Sequence, residues 1–257
     1  MDETYLKQAT CAAYGWGVPQ DWPQAMTLLE RAARASEEGA REQFELVSQM
    51  PLEQLLSPPQ PVRLHSSARI ASIKLFAPPG FPEWIIGRSK GRLEAAQMAD
   101  ASGKCVRTAT TCRFGPDERD LIIAVLQERA ARLLAAPITF HEPPSTIHYE
   151  VGQEFRLHAD FVQPSVQAYQ AELNLLGQRV GTIVTYLNDD FDGAATQFPE
   201  LSLDFRGDIG EAIFWANVLP DGSPDYRTAH QALAPTRGEK WVLSQWIRAK
   251  PIPLQPT

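Results

Sequence analysis

His158 and Asp160 are the residues whose types and spacing most directly suggest chemistry. They lie in Phe155-Arg156-Leu157-His158-Ala159-Asp160-Phe161, a segment that reads as a β-strand. Side chains two apart on a strand project to the same face, so an imidazole and a carboxylate leave the backbone together and can chelate a metal ion. Such a pair also occurs by chance on exposed strand faces, and alone it decides nothing. A third ligand has to come from elsewhere in the chain. His230 is the natural candidate, between the turn near Gly222 and a strand-like segment that begins at Lys240. Two histidines and a carboxylate on one face of an octahedral metal leave three positions open, the pattern of non-haem Fe(II) oxygenases. A 2-oxoacid chelating through two oxygens fills two of those positions, and O2 fills the third. His65, His141 and His148 have no ligand-like partners and read as structural or surface residues. No Gly-x-Ser-x-Gly elbow or Cys/His pair places a nucleophile beside a base.

The elements that must position these residues lie mainly after Pro137. Strands are expected at 146–150, 154–162, 179–187, 210–216 and 240–248, with β-branched and aromatic residues such as Val180, Ile183, Val184 and Tyr186. Asn188 to Gly193 and Pro220-Asp221-Gly222 supply turns. Several short strands with turn signals predict a sandwich or jelly roll. Upstream, apolar runs from Val62 to Phe76 suggest early strands, and helices are expected over 83–101 and 116–135, the second opened by Pro116, Asp117 and Glu118. Residues 4–49 read as helical. The expected organisation is therefore a helical segment over 1–50, a proline-rich linker over 51–62 (Pro51, Pro58, Pro59, Pro61), and a mainly β domain over 63–257.

Composition bounds the partners. The net charge of −7 argues against nucleic-acid binding, which needs a basic surface. No run approaches the roughly 20 apolar residues of a membrane span. The N-terminus lacks a basic stretch followed by an apolar one, and the three cysteines (Cys11, Cys105, Cys112) form no disulfide framework, so a cytoplasmic location with free thiols is expected.

Beyond the metal-ligand spacing, residues recur in a specific order. Tyr149, Gly152-Gln153 and Phe155 precede His158 and Asp160. Gln178-Arg179-Val180, Tyr186-Leu187-Asn188, Phe191, Gly193, Thr196 and Phe198-Pro199 come next, then Gly210, Ala212, Phe214, Asn217, Gly222, Asp225 and His230. Gly238, Lys240-Trp241 and Trp246-Ile247-Arg248 close the series. This order resembles the catalytic domain of the prolyl 4-hydroxylase family, loosely over 76–257 and tightly over 146–248. The resemblance implies a double-stranded β-helix (jelly roll) with flanking helices, and His158, Asp160 and His230 as ligands to Fe(II). It implies Lys240 as the partner of the distal carboxylate of 2-oxoglutarate, with Tyr149 and Thr196 helping to hold that cosubstrate. It places Arg179 as a catalytic, substrate-facing residue and Trp246 on the pocket wall, while a structural salt bridge is an equal reading for Arg179. Trp215 and Trp241 are expected in the core. The implied cofactors are Fe(II), 2-oxoglutarate and O2, with ascorbate as reductant. The implied reaction is hydroxylation of a prolyl residue in a peptide or protein. Three alternatives stay open: a free amino acid or other small-molecule substrate, a silent binding scaffold, and a jelly roll with another divalent metal. One departure stands out: Gly193-Ala194-Ala195-Thr196 replaces the paired glycines and acid usual before the threonine, and an added methyl there stiffens the turn or narrows the cleft.

The N-terminal segment resembles a Sel1-like repeat, a relative of the tetratricopeptide repeat, through Tyr14-Gly15, Gly17-Val18, Asp21, Ala25, Leu29, Ala32-Ala33 and Ala40. The match covers about one and a half repeats, too few for a stable core of its own. The helices are expected to stabilise the larger domain or to dock a protein partner.

Overall fold

The computed structural model describes residues 4–96, 98–99, 105–118 and 120–253. Helices are α1 (Tyr5–Tyr14), α2 (Trp22–Arg34), α3 (Ala40–Val47), α4 (Leu52–Leu56), α5 (Phe81–Ser89), α6 (Leu121–Leu134) and α7 (Gln170–Leu176). Strands are β1 (Val62–Arg63), β2 (Ile70–Ile73), β3 (Glu94–Ala95), β4 (Met98–Ala99), β5 (Cys105–Arg107), β6 (Thr110–Arg113), β7 (Ser145–Tyr149) and β8 (Phe155–His158). They continue with β9 (Arg179–Tyr186), β10 (Asp192–Gly193), β11 (Thr196–Phe198), β12 (Leu203–Phe205), β13 (Ala212–Ala216), β14 (His230–Ala232), β15 (Pro235–Arg237) and β16 (Lys240–Arg248). The chain divides into two compact units.

The first unit is helical and comprises the residues up to Pro58 together with Phe114–Thr139. Its helices α1, α2 and α6 begin where a side chain satisfies a free backbone N–H. The Asp21 carboxylate accepts from the Gln24 N–H at 2.9 Å, and that of Asp120 from the Ile123 N–H at 3.0 Å. Trp22, Ala25, Leu28, Leu29 and Ala32 are buried along one face of α2. The helix expected over 116–135 belongs to this unit. Pro116 opens a 3-10 turn, and the α-helix starts only at Leu121, where Asp120 caps it. The Tyr14 hydroxyl donates to Gln127 on α6 at 2.8 Å, and the Leu121 N–H donates to Gln43 on α3 at 3.1 Å. Within the stretch 51–62, Leu52–Leu56 forms α4, and the Arg129 guanidinium donates to the Ser57 carbonyl just beyond it.

The second unit comprises Pro59–Arg113 and Phe140–Ile252. It is built on an eight-stranded sheet, β1-β2-β13-β9-β16-β7-β6-β3, and a six-stranded sheet, β12-β11-β14-β8-β5-β4, with β10-β15 as a separate ribbon. Every pairing is antiparallel. Tyr149, Tyr186, Trp215 and Val242 from the larger sheet and Phe155 and Phe198 from the smaller one share one buried core. This is the expected jelly roll. The helix expected over 83–101 ends at Ser89 instead. Gly91 turns the chain at φ +80°, and Glu94–Ala95 pairs with β6. The strand expected over 154–162 is shorter, ending at His158.

Register decides what the core holds. On β16, Lys240, Val242, Ser244 and Trp246 alternate onto one face. Lys240 lies opposite Tyr149, and Val242 lies between Ile147 and Tyr186. Ser244 pairs with Val184, and Trp246 with Thr182. Gly238 sets where this strand begins: its φ is +72°, and a Cβ there would stand 2.6 Å from the Asp190 carbonyl oxygen. Gly222 has a similar φ of +84° but open space around it. Gly222→Ala is expected to cost the backbone penalty alone, about 1–2 kcal/mol. Gly238→Ala is expected to cost clearly more, because backbone must move. Urea unfolding of the two variants checks the difference, and equal losses would contradict it.

Candidate active site

The three candidate metal ligands meet through one strand pairing. β8 and β14 run antiparallel with His158 opposite His230, and Asp160 lies just past the end of β8. His158 Nε2 is 3.6 Å from Asp160 Oδ1, and His230 Nε2 is 3.7 Å from Asp160 Oδ2. One donor atom from each residue falls within 4.8 Å of the other two, the separation expected of ligands around one ion. Both imidazoles are oriented in the same way. His158 Nδ1–H donates to the Arg156 carbonyl at 2.8 Å, and His230 Nδ1–H donates to the Thr228 carbonyl at 3.1 Å. A carbonyl only accepts, so each Nδ1 carries the proton and each Nε2 offers a lone pair. Aromatic neighbours fix the rings: Phe155 stacks on His158 at 3.5 Å between centroids, and Trp215 meets His230 at 4.5 Å.

Electrostatics hold His158 and Asp160 in the forms that bind a metal. Burial and the adjacent His230 push His158 down to about 3, so its imidazole stays neutral at physiological pH. Burial alone would raise the Asp160 carboxyl. His230, His158 and a hydrogen bond from the Thr182 hydroxyl outweigh it and hold the pKa below the usual carboxylate value. A neutral His158 imidazole and an ionised Asp160 carboxylate are the forms in which these groups bind a divalent ion.

A buried lysine lies on the wall of the same cavity. The cavity is narrow, with a volume of about 40 Å³, and Arg107, Tyr149, Val184, Thr196 and Lys240 help to line it. Lys240 is 1% exposed. Its ammonium donates to the Ala194 carbonyl at 2.7 Å and lies 4.9 Å from the Tyr186 ring centroid and 5.6 Å from that of Tyr149. No acidic side chain among the described residues pairs with it, and burial lowers its pKa to about 7. A buried cation without a counter-charge fits a carboxylate supplied by a ligand. The Tyr186 hydroxyl donates to the Phe205 carbonyl at 3.0 Å and hydrogen-bonds the Thr196 hydroxyl at 2.9 Å. Burial raises the Tyr149 phenol to about 12. Ala194 takes a left-handed φ of 52° with its methyl fully buried, and that turn aims its carbonyl at Lys240.

Arg179 and Trp246 stand together. The Arg179 guanidinium lies 3.8 Å from the Trp246 ring centroid and pairs with Glu142 at 2.7 Å, and Trp246 lines the cavity. Arg248 donates to the same Glu142 oxygen, Oε1, at 2.5 Å and also reaches Glu172. Trp215 and Trp241 are buried as expected. His148 is held between Thr110 and Glu239, His141 is buried, and neither belongs to the chelating cluster. Sequence reasoning did not identify Arg107, Glu142 or Thr182. Arg107 is 8% exposed, with its guanidinium 4.7 Å from the Phe155 ring. Each reaches the site through contacts distant in sequence, and no local pattern marks them.

Residues 144–248 match the family model described as the 2OG-Fe(II) oxygenase superfamily and carry such a domain. The chain is 30% identical over 129 residues to prolyl 4-hydroxylase subunit alpha-1 of Gallus gallus, a match spanning 50% of this chain and 25% of that relative. It is 26% identical over 186 residues to prolyl 4-hydroxylase 13 of Arabidopsis thaliana, covering 65% of this chain and 66% of the relative. Two solved structures share the fold. A viral collagen prolyl hydroxylase from Paramecium Bursaria Chlorella virus-1 aligns with TM-score 0.56 and 22% identity, over 70% of this chain and 96% of the other. A prolyl hydroxylase from Trichoplax adhaerens, in complex with a hypoxia inducible factor oxygen degradation domain peptide fragment, aligns with TM-score 0.53 and 15% identity, over 83% and 94%. No described helix is long and apolar enough to cross a membrane.

The buried lysine generates a pH signature. Its folded pKa of about 7 is below the ordinary 10.5, so between those values the unfolded chain binds the extra proton. Its stability cost therefore grows as pH falls from 10.5 to 7 and is constant below, at most about 1.4 kcal/mol per pH unit. In ligand-free protein, Lys240→Met is expected to be more stable than wild type near pH 7, with the gap closing toward pH 10. Urea unfolding across that range checks it, and a gap independent of pH would contradict it.

Proposed function

We propose that this chain is an Fe(II)- and 2-oxoglutarate-dependent dioxygenase that hydroxylates a prolyl residue in a peptide or protein, releasing succinate and CO2. One observation carries the reading: a two-histidine, one-carboxylate cluster and an uncompensated buried lysine line a single narrow cavity.

The roles follow from the chemistry of each group. His158 and His230 would hold the iron through their Nε2 atoms, and Asp160 through its carboxylate. Lys240 pairs with the far carboxylate of 2-oxoglutarate, and Thr196 and Tyr149 flank it. Bound together, iron, 2-oxoglutarate and O2 supply the oxidising power for hydroxylating an unactivated C–H bond. The chain contributes geometry and dryness. Ile147, Val184 and Val242 place apolar surface between the lysine and the metal ligands and keep bulk water from the reaction. Glu142 holds Arg179 against the indole of Trp246, so the ring can present a rigid apolar wall to a pyrrolidine. The prolyl substrate rests on relatives whose names state that activity, and on a neighbour of the same fold in complex with a peptide fragment.

Succinate release from 2-oxoglutarate with and without Fe(II), together with a search for +16 Da products in a proline-containing peptide library, tests the reading. Fe(II)-dependent succinate and a prolyl product are expected. Fe(II)-dependent succinate with a product only on free amino acids would keep the chemistry and overturn the substrate. His158→Ala is expected to abolish iron retention and turnover, and full activity in that variant would overturn the metal assignment. Lys240→Ala removes a buried charge partner, worth about 2–5 kcal/mol. It should raise the 2-oxoglutarate KM at least 30-fold, with iron still bound.

A further inference from the structure

Among His158, Asp160 and His230, the Asp160 carboxylate takes its side-chain hydrogen bond from the larger sheet rather than from the sheet that carries the histidines. The Thr182 hydroxyl donates to Asp160 Oδ2 at 2.7 Å, and the Asn217 side-chain amide donates to Thr182 Oγ1 at 2.9 Å. Thr182 is on β9 and Asn217 follows β13, both in the larger sheet, and each is 1% exposed. From Asn217 the connection continues through backbone. The Asp225 N–H donates to the Asn217 carbonyl at 3.0 Å. The Thr228 hydroxyl donates to the Asp225 carbonyl at 2.9 Å, and His230 Nδ1–H donates to the Thr228 carbonyl at 3.1 Å. A buried hydrogen-bonded path thus runs from one chelating residue to another by way of Asn217.

The path has a direction. A threonine hydroxyl has one proton. Because the Asn217 amide donates into Thr182 Oγ1, that proton is left for Asp160. Oδ2 is therefore kept as an acceptor from the protein, and Oδ1, 3.6 Å from His158 Nε2, is left as the oxygen with free lone pairs. At the other end the backbone of Asn217 is pinned: its N–H donates to the Val180 carbonyl at 3.0 Å while its carbonyl holds the loop leading to His230.

We infer that Asn217 is a positioning residue for the metal site: it polarises Thr182 to orient the Asp160 carboxylate, and it ties that carboxylate to the loop that carries His230. The inference rests on the reading of His158, Asp160 and His230 as a metal site. Outer hydrogen bonds of this kind typically change metal affinity 10–100-fold. Two residues acting through one chain also give non-additive losses.

Co(II) is a suitable probe, because its visible d–d bands report ligand geometry without turnover. The full chain is titrated with Co(II), with His158→Ala as the non-binding control. Thr182→Val is expected to weaken Co(II) about 10–100-fold and to alter the d–d bands. Thr182→Ser, which keeps the hydroxyl, should stay within about 3-fold of wild type. Asn217→Ala should weaken binding about 10-fold, and the double variant should bind no more weakly than Thr182→Val alone. Wild-type affinity and spectrum in both single variants, or losses that simply multiply in the double variant, would overturn the inference. If Thr182→Val does not fold, Asn217→Ala decides alone: a shifted spectrum with weaker binding supports the inference, and an unchanged one overturns it. A wild-type chain that binds no Co(II) would instead overturn the metal-site reading, a separate outcome.

Discussion

A β-core that buries an aspartate, a histidine and a lysine, and half-buries a second histidine, has to satisfy each of them with little bulk water, and that constraint organises the second unit. Burying an ionised group without a partner costs far more than a single apolar contact returns. The two imidazoles meet the demand with backbone carbonyls two residues behind them. Asp160 meets it with the Thr182 hydroxyl. Lys240 meets it in part, with one carbonyl and two ring faces. The residual deficit, a lysine pushed toward neutrality and three donor atoms crowded together, is what a divalent ion and a dicarboxylate would correct.

Strand register delivers these groups to one place. A slip of one residue on β16 would move Lys240, Val242 and Trp246 to the opposite face together. The ladder with β7 and β9 holds that strand over nearly its whole length. The histidines depend on a much shorter pairing, His230 opposite His158, with an irregularity at the next step. The short pairing is reinforced by packing, with Phe155 and Trp215 against the two rings, and by the hydrogen-bonded path through Asn217.

Part of this site was legible in the sequence because two of its candidate metal ligands follow a local rule. His158 and Asp160 are two apart, whereas Lys240 was legible only through the family resemblance, ten residues after His230. His230 stood out as a candidate although β14 did not: three residues with a register shift carry no period. Long-range groups were not legible. Glu142 meets Arg179 and Arg248 from 37 and 106 positions away, and Thr182 meets Asp160 across 22. Helix boundaries failed where tertiary pairing overrode local preference. Glu94–Ala95 joined a sheet rather than extending α5, and Asp120, not Pro116, offered the side chain that caps α6. The Ala194 substitution fell between these cases. Its position beside Thr196 was plain, but its left-handed backbone and the aim of its carbonyl at Lys240 emerged only with the fold.

The central claim is that His158, Asp160 and His230 bind one metal ion in a cavity whose wall also carries Lys240. Crystals of the full chain grown with Mn(II) and 2-oxoglutarate, with oxygen excluded, test it through an anomalous difference map. The account predicts a single strong peak within bonding distance of both Nε2 atoms and an Asp160 oxygen, with the cosubstrate's far carboxylate on the Lys240 ammonium. A peak elsewhere, or a cosubstrate that leaves Lys240 untouched, would contradict it.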